Sequence, residues 1–75
     1  MAKVIALVRL ETGKEVDVEL PTDISADTAI RALHQALKMP GDCPARIRCE
    51  NPIALLQGEM PLSSFGIRDG SILHM

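Results

Sequence analysis

Two apolar runs of period two lie near the start of the chain, over residues 3–10 and 15–20, and in the second run apolar residues alternate with carboxylates. Such a period is typical of β-strands that bury one face. Gly13 lies in the connection between them, where a type I turn with a glycine bulge needs positive φ. The pattern predicts an antiparallel hairpin whose inward side chains are Val4, Ala6, Val8, Leu10, Val16, Val18 and Leu20.

A helical period follows the hairpin. Ser25 is placed to act as an N-cap, and apolar residues then recur on one helical face as far as residue 38. Asp27 near the start and Lys38 near the end both suit the helix dipole, and Pro40-Gly41 is expected to end the helix. The predicted inward stripe consists of Ala26, Ala29, Ile30, Leu33, Ala36 and Leu37.

The rest of the chain predicts three more strands and one helical turn. Residues 45–50 alternate again, with Ala45, Ile47 and Cys49 on the inward side. A short apolar segment covers 53–56, a helical turn fits 62–65, and a tight turn at 68–70 leads into a final strand over 71–75. This order predicts one α+β domain over residues 1–75, a β-grasp with one amphipathic helix packed across one face of a mixed four- to five-stranded sheet.

Composition limits the classes of partner. The chain has a single aromatic residue, Phe65, which argues against stacking on single-stranded nucleic acid, and its net charge of −2 gives no electrostatic reason to expect nucleic acid or an anionic membrane. No apolar segment approaches the ~20 residues of a membrane span, so direct membrane insertion is not expected. Without a secretory signal, we expect a cytoplasmic protein with reduced thiols at Cys43 and Cys49.

No group of residues has the spacing of a catalytic or metal site. His34 and His74 are far apart in sequence, and no Cys-x-x-Cys pair is present. We therefore expect no enzyme activity, metal or cofactor. Three carboxylates spaced two residues apart could form a general acid/base pair, but a solvated strand face is the preferred interpretation of Glu15, Asp17 and Glu19.

The sheet face opposite the helix is the candidate protein-binding surface. In the usual β-grasp strand order the first and last strands are central, which would put Ile72 and His74 beside Ile5 and Leu7, between two basic residues and the three carboxylates. Contiguous exposed apolar area commonly marks a protein partner. The alternative is that these residues are strand formers with scattered exposure. The predicted contact residues are Ile5, Leu7, Arg9, Arg46, Arg48, Ile72 and His74.

Several segments resemble ubiquitin and its relatives, namely 10–14 (LETGK), 20–24 (LPTDI) and 62–74, with Phe65-Gly66-Ile67 and Asp69-Gly70. More closely, Leu55-Leu56-Gln57-Gly58-Glu59-x-x-Leu62-Ser63-x-x-Gly66-Ile67-x-Asp69-Gly70 resembles the YukD/EsaB family of small bacterial ubiquitin-like proteins. The resemblance implies a non-enzymatic protein-interaction module. It further implies a cytosolic accessory or regulatory component of a type VII (WXG100) secretion system, peripheral to the membrane complex.

The resemblance to ubiquitin is incomplete at the end of the sequence. Ubiquitin and the sulfur carriers end in Gly-Gly, whereas this sequence ends at Leu73-His74-Met75. We therefore expect neither conjugation nor sulfur transfer. The alternatives left open are a small carrier or adaptor of another β-grasp type, either sulfur-carrier-like or accessory to a monooxygenase, and a weak homodimer formed through the open sheet edge.

Overall fold

The computed structural model describes residues 2–75, and every element predicted from the sequence is present. The helices are α1 (Ala26–Ala36) and a single 3-10 turn, η1 (Leu62–Phe65). The strands are β1 (Lys3–Arg9), β2 (Glu15–Pro21), β3 (Arg46–Glu50), β4 (Ala54–Gln57) and β5 (Ile72–His74).

The strands form one mixed five-stranded sheet in the order β2-β1-β5-β3-β4. β1 pairs antiparallel with β2 and parallel with β5, and β3 pairs antiparallel with β5 and β4. The first and last strands therefore lie side by side, as predicted. With α1 on one face of this sheet, the predicted ubiquitin-like β-grasp is confirmed.

The hairpin turn has the predicted geometry. The Gly13 amide donates to the Leu10 carbonyl at 2.8 Å, which closes the turn, and the Leu10 amide donates to the Lys14 carbonyl at 2.8 Å. Gly13 has φ of 91°, a value that a residue with a Cβ rarely adopts. The β1–β2 register is fixed from Lys3 opposite Pro21 to Arg9 opposite Glu15.

Helix α1 begins as predicted and ends earlier. The Ser25 hydroxyl accepts a hydrogen bond from the Thr28 amide at 3.1 Å, which satisfies one of the free amides of the first turn. At the other end Lys38 has φ of 51°, and its amide and that of Met39 donate back to the carbonyls of Gln35 and His34. This Schellman motif ends the helix before Pro40-Gly41, so the predicted end at that dipeptide is wrong.

The core between α1 and the sheet is aliphatic, and the single aromatic residue, Phe65, packs half-buried at its edge. Alternation placed the inward residues correctly except at Ala45, which is exposed because β3 begins only at the next residue. Ala36 is also exposed, at the last position of α1. The buried core residues are Ala6, Val8, Leu20, Ala26, Ala29, Ile30, Leu33, Ile47, Cys49, Leu56, Leu62, Ile67 and Leu73.

Candidate protein-binding face

The sheet has one face without a covering helix, which we call the open face. Alternation along each strand decides which side chains reach it, and the register aligns them in rows across the strands. One row runs from Glu15 through Arg9 and His74 to Arg48 and Leu55. All seven predicted contact residues lie on strands of this sheet with the alternation that places them on the open face.

Two of the four exposed large apolar side chains of the described chain lie on strands of this face, Ile5 on β1 and Leu55 on β4. The four are Ile5, Ile53, Leu55 and Met60, with exposed fractions of 54, 88, 45 and 58%. Ile5 forms a first apolar strip with the half-buried Leu7 and Ile72. Ile53, in the turn just before β4, and Leu55 form a second apolar strip, and neither is among the predicted contact residues.

The first apolar strip is shifted by one row relative to the prediction. Ile72 lies beside Leu7, and His74 lies beside Arg9, whereas the usual strand order predicts them beside Ile5 and Leu7. The backbone of Ile5 is instead held by the turn before β5. Its amide donates to the Asp69 carboxylate at 2.8 Å, and its carbonyl accepts from the Gly70 amide at 3.0 Å.

The acidic border of the open face is largely neutralised within the β1–β2 hairpin. Arg9 Nε lies 2.8 Å from Glu15 Oε2, and Lys3 Nζ lies 3.5 Å from Glu19 Oε1. Asp17, opposite Leu7, is the only one of the three strand carboxylates without an ion pair to a described residue. All three are exposed, as expected of a solvated strand face.

The basic residues of β3 differ from those of the hairpin. Arg46 and Arg48 are exposed, and neither forms an ion pair with any residue of 2–75. Glu50, the next outward residue of β3, has its Oε1 3.5 Å from His74 Nε2. Because β4 lies beyond β3, the two arginines do not lie at the border of the face, and Arg48 has Leu55 on one side and His74 on the other, which the sequence alone could not establish.

A groove of about 510 Å³ adjoins the open face where the hairpin tip, the end of α1 and the start of β3 meet. His34 and His74, remote in sequence, both line it, and the Nε2 atom of each is shielded from solvent without a hydrogen bond to any described residue. Glu11, Lys38, Asp42 and Arg46 give the groove mixed charge. Within residues 2–75, no three His, Cys, Asp or Glu side chains are placed to hold a metal ion together.

The two cysteines are free thiols in different environments. Cys43 is exposed in the loop before β3, and Cys49 is buried in the core. Burial, with a smaller contribution from the neighbouring Glu50 carboxylate, raises the pKa of the Cys49 thiol. A buried thiol of raised pKa is a poor nucleophile, so Cys49 acts here as a core residue.

Ser71 is the buried polar residue that positions β5 in the open face. Its side chain is fully buried, donates to the Asn51 carbonyl at 2.7 Å and accepts from the Arg68 amide at 3.0 Å. These bonds tie the turn before β5 to the turn after β3. The strand that carries Ile72 and His74 is thereby fixed between its two neighbours.

Comparison with known proteins adds a family and a fold. Residues 7–75 match the family model described as "WXG100 protein secretion system (Wss), protein YukD". None of the curated proteins matches the chain at a significant level. Within the described residues, no helix has the length and apolar character needed to cross a membrane.

Three solved structures are similar to this chain in fold. Each is 17% identical to it in sequence, and identity at that level shows a shared fold and nothing more. The ubiquitin-like domain of an Arabidopsis thaliana protein has a TM-score of 0.74 and aligns over 99% of this chain and 76% of its own. The UBL domain of Plasmodium falciparum Dsk2 scores 0.70 over 97% of both chains. A designed protein based on ubiquitin scores 0.70 over 96% of this chain and 84% of its own.

Proposed function

The chain belongs to the YukD family of the WXG100 protein secretion system, and on that premise we propose that it is a non-enzymatic ubiquitin-like interaction module. In this proposal it acts in the cytoplasm as an accessory or regulatory component and docks through its open face onto a component of the type VII secretion machinery. The observation that carries the proposal is the exposure of large apolar side chains on that face. Ile5 and Leu55 are two of the four such side chains in the described chain, and Ile53 lies in the turn just before β4.

The apolar area is large enough to matter for binding. The exposed fractions of Ile5, Ile53 and Leu55 together equal nearly two fully exposed side chains. Covering them would contribute roughly 3–6 kcal/mol, before the entropy cost of association is subtracted. This magnitude supports a reversible docking contact, which suits an accessory component better than a permanent subunit.

The register determines which variants test the face without unfolding it. Leu7 lies opposite Asp17, so an acidic residue at position 7 would add like-charge repulsion, whereas Leu7→Lys places a cation beside that carboxylate. Leu55 lies opposite Arg48, so Leu55→Glu is the compatible change there. Each variant removes apolar surface from one strip and forms a cross-strand pair of opposite charges.

Capture experiments with tagged protein in a bacterium that carries the secretion system test the proposal. We expect the wild type to retain named secretion components, and Leu7→Lys and Leu55→Glu each to reduce their recovery at least about tenfold, the ratio expected for losing 1.4 kcal/mol. Ala32→Lys, at an exposed position of α1, is the matched control and should bind like wild type. Full recovery by both face variants, with unchanged circular dichroism and melting, would refute docking through the open face.

A further inference from the structure

The outer edge of β4 is the part of the sheet that is open to another strand. We infer that β4 pairs antiparallel with β4 of a second copy of this chain, about a two-fold axis at Ala54. The inference goes beyond the proposed function, because it concerns the edge of the sheet and requires no secretion component.

The two edge strands of the sheet, β2 and β4, differ in how they are protected from pairing. β2 presents three carboxylates at alternate positions and ends at Pro21. Carboxylates opposite carboxylates repel each other and proline lacks the amide that pairing needs, so β2 resists a second copy of itself. β4 contains neither a charged residue nor proline. Apart from the ladder with β3, no backbone hydrogen bond joins residues 53–57 to another described segment.

The apolar side chains of this edge are self-complementary in one register. Ile53 and Leu55 are 88 and 45% exposed. Pairing centred on Ala54 places Ile53 of each copy opposite Leu55 of the other, because each lies one residue from the centre. Opposite residues of an antiparallel pair are about 5 Å apart and point to the same side of the sheet. The second apolar strips of the two copies would therefore join into one patch.

The charges of β3 favour this register over the neighbouring one. Arg48 lies beside Leu55, and the same register continued by one residue brings Glu50 beside Ile53. Pairing centred on Ala54 therefore gives each row an arginine at one end and a glutamate of the other copy at the other end. Centring on Leu55 would place an arginine at both ends of one row and would separate the isoleucines from the leucines. Charge and apolar fit therefore both select the Ala54 centre.

The two-fold axis determines the shape and the strength of the dimer. An axis perpendicular to the sheet keeps both helices on one side and both open faces on the other, so two five-stranded sheets are joined edge to edge. The contact involves only a few residues of each copy, so its area is below the roughly 1,200 Å² of a standard interface and the dimer should dissociate readily.

Dilution of the ¹⁵N-labelled protein from millimolar to micromolar concentration tests the inference by NMR. We expect the amide resonances of residues 53–57 to shift with concentration while those of β2 stay constant, and sedimentation velocity to show a mass above that of one chain at the highest concentration. If the β4 resonances did not change, the edge would be left to a strand of a different protein and the inference would be overturned. A concentration dependence confined to β2 or to the groove would also overturn it.

Two charge variants test the register. Ile53→Lys places a cation beside Glu50 of its own chain, but in the dimer it faces Arg48 of the second copy across the row. Leu55→Glu places a carboxylate beside Arg48 of its own chain, but in the dimer it faces Glu50 of the second copy. Each variant alone should therefore fold, as checked by circular dichroism, and should weaken self-association at least about tenfold.

Mixing the two variants is the decisive measurement. An equimolar mixture should regain self-association, because the new lysine of one chain and the new glutamate of the other then lie opposite each other. Ile5→Lys is the matched control, since it makes the same change beside Glu19 on β1, and it should self-associate like wild type. A mixture of folded variants that stayed monomeric would refute the inferred pairing.

Discussion

Replacing Ser71 by alanine tests how the centre of the open face is held in place. The variant removes one oxygen atom from a fully buried position and with it two hydrogen bonds, the 2.7 Å bond to the Asn51 carbonyl and the 3.0 Å bond from the Arg68 amide. No charge changes and little volume is lost. The effect should therefore report on the hydrogen bonds that join the two turns.

The expected loss follows from the number of bonds. Each net hydrogen bond contributes about 1 kcal/mol, so the free energy of unfolding should fall by about 2 kcal/mol. A domain of this size has a total free energy of unfolding of about 4–11 kcal/mol, so the loss is a substantial fraction of that total. It corresponds to a decrease in Tm of about 8–16 °C. If the free energy of unfolding falls by about 1 kcal/mol per molar urea, the urea midpoint should fall by up to about 2 M.

Urea unfolding followed by far-ultraviolet circular dichroism measures this loss, since the chain has no tryptophan or tyrosine for fluorescence. Ser64→Ala is the matched control, because Ser64 is an exposed residue of η1 whose side chain makes no hydrogen bond to a described residue. The control should change stability by less than about 0.5 kcal/mol. If Ser71→Ala were as stable as Ser64→Ala, the two hydrogen bonds of Ser71 would not hold β5 in place, contrary to the prediction.

Two further predictions concern the end of α1 and the buried thiol. Lys38→Gly should raise the free energy of unfolding by about 0.5–1 kcal/mol in urea unfolding, because Lys38 adopts a left-handed φ of 51° that costs a residue with a Cβ; Lys38→Ala should give no such gain. At pH 8 a thiol reagent should label Cys43 in the native protein and Cys49 only after unfolding, and prompt labelling of both would contradict the burial of Cys49. Because the folded pKa of Cys49 lies above its ordinary value of 9.0, the thiol ionises first in the unfolded state, so stability should fall as pH rises above 9.0. Cys49→Ala should lack that part of the decrease between pH 8 and pH 10, measured as the urea midpoint.

Local patterns predicted the elements because each has a short-range physical cause. The apolar run around Ala6 and Val8 indicated β1, the hydroxyl of Ser25 capped α1, and Gly13 marked the turn that needs positive φ. The end of α1 was missed because Lys38 takes a left-handed conformation through backbone hydrogen bonds, without the glycine that usually signals it. Ala45 was misplaced because alternation indicates a side without fixing where pairing begins.

The candidate site was only partly predictable because charge and exposure depend on strand pairing. Residues 53–56 are all apolar, so nothing in that segment alone shows that Leu55 is exposed and Leu56 is buried. That division appears once β4 pairs with β3. Likewise, the partners of Arg9 and Lys3 on β2 follow from the hairpin register, whereas the absence of described ion partners for Arg46 and Arg48 becomes evident only when all five strands are placed.

The position of β4 changes what the open face can recognise. An apolar strip bordered by arginines on one side and carboxylates on the other would orient a partner by long-range charge alone. With Leu55 beyond Arg48, and Lys3 and Arg9 paired with carboxylates of β2, the basic residues of the face without described ion partners are Arg46 and Arg48, and Arg48 lies between Leu55 and His74. A charge beside apolar surface loses water when a partner binds, so in the proposed docking a mismatched partner would leave it unpaired at a cost of several kcal/mol. In that docking the arginines of β3 would bear on specificity and the apolar strips on affinity.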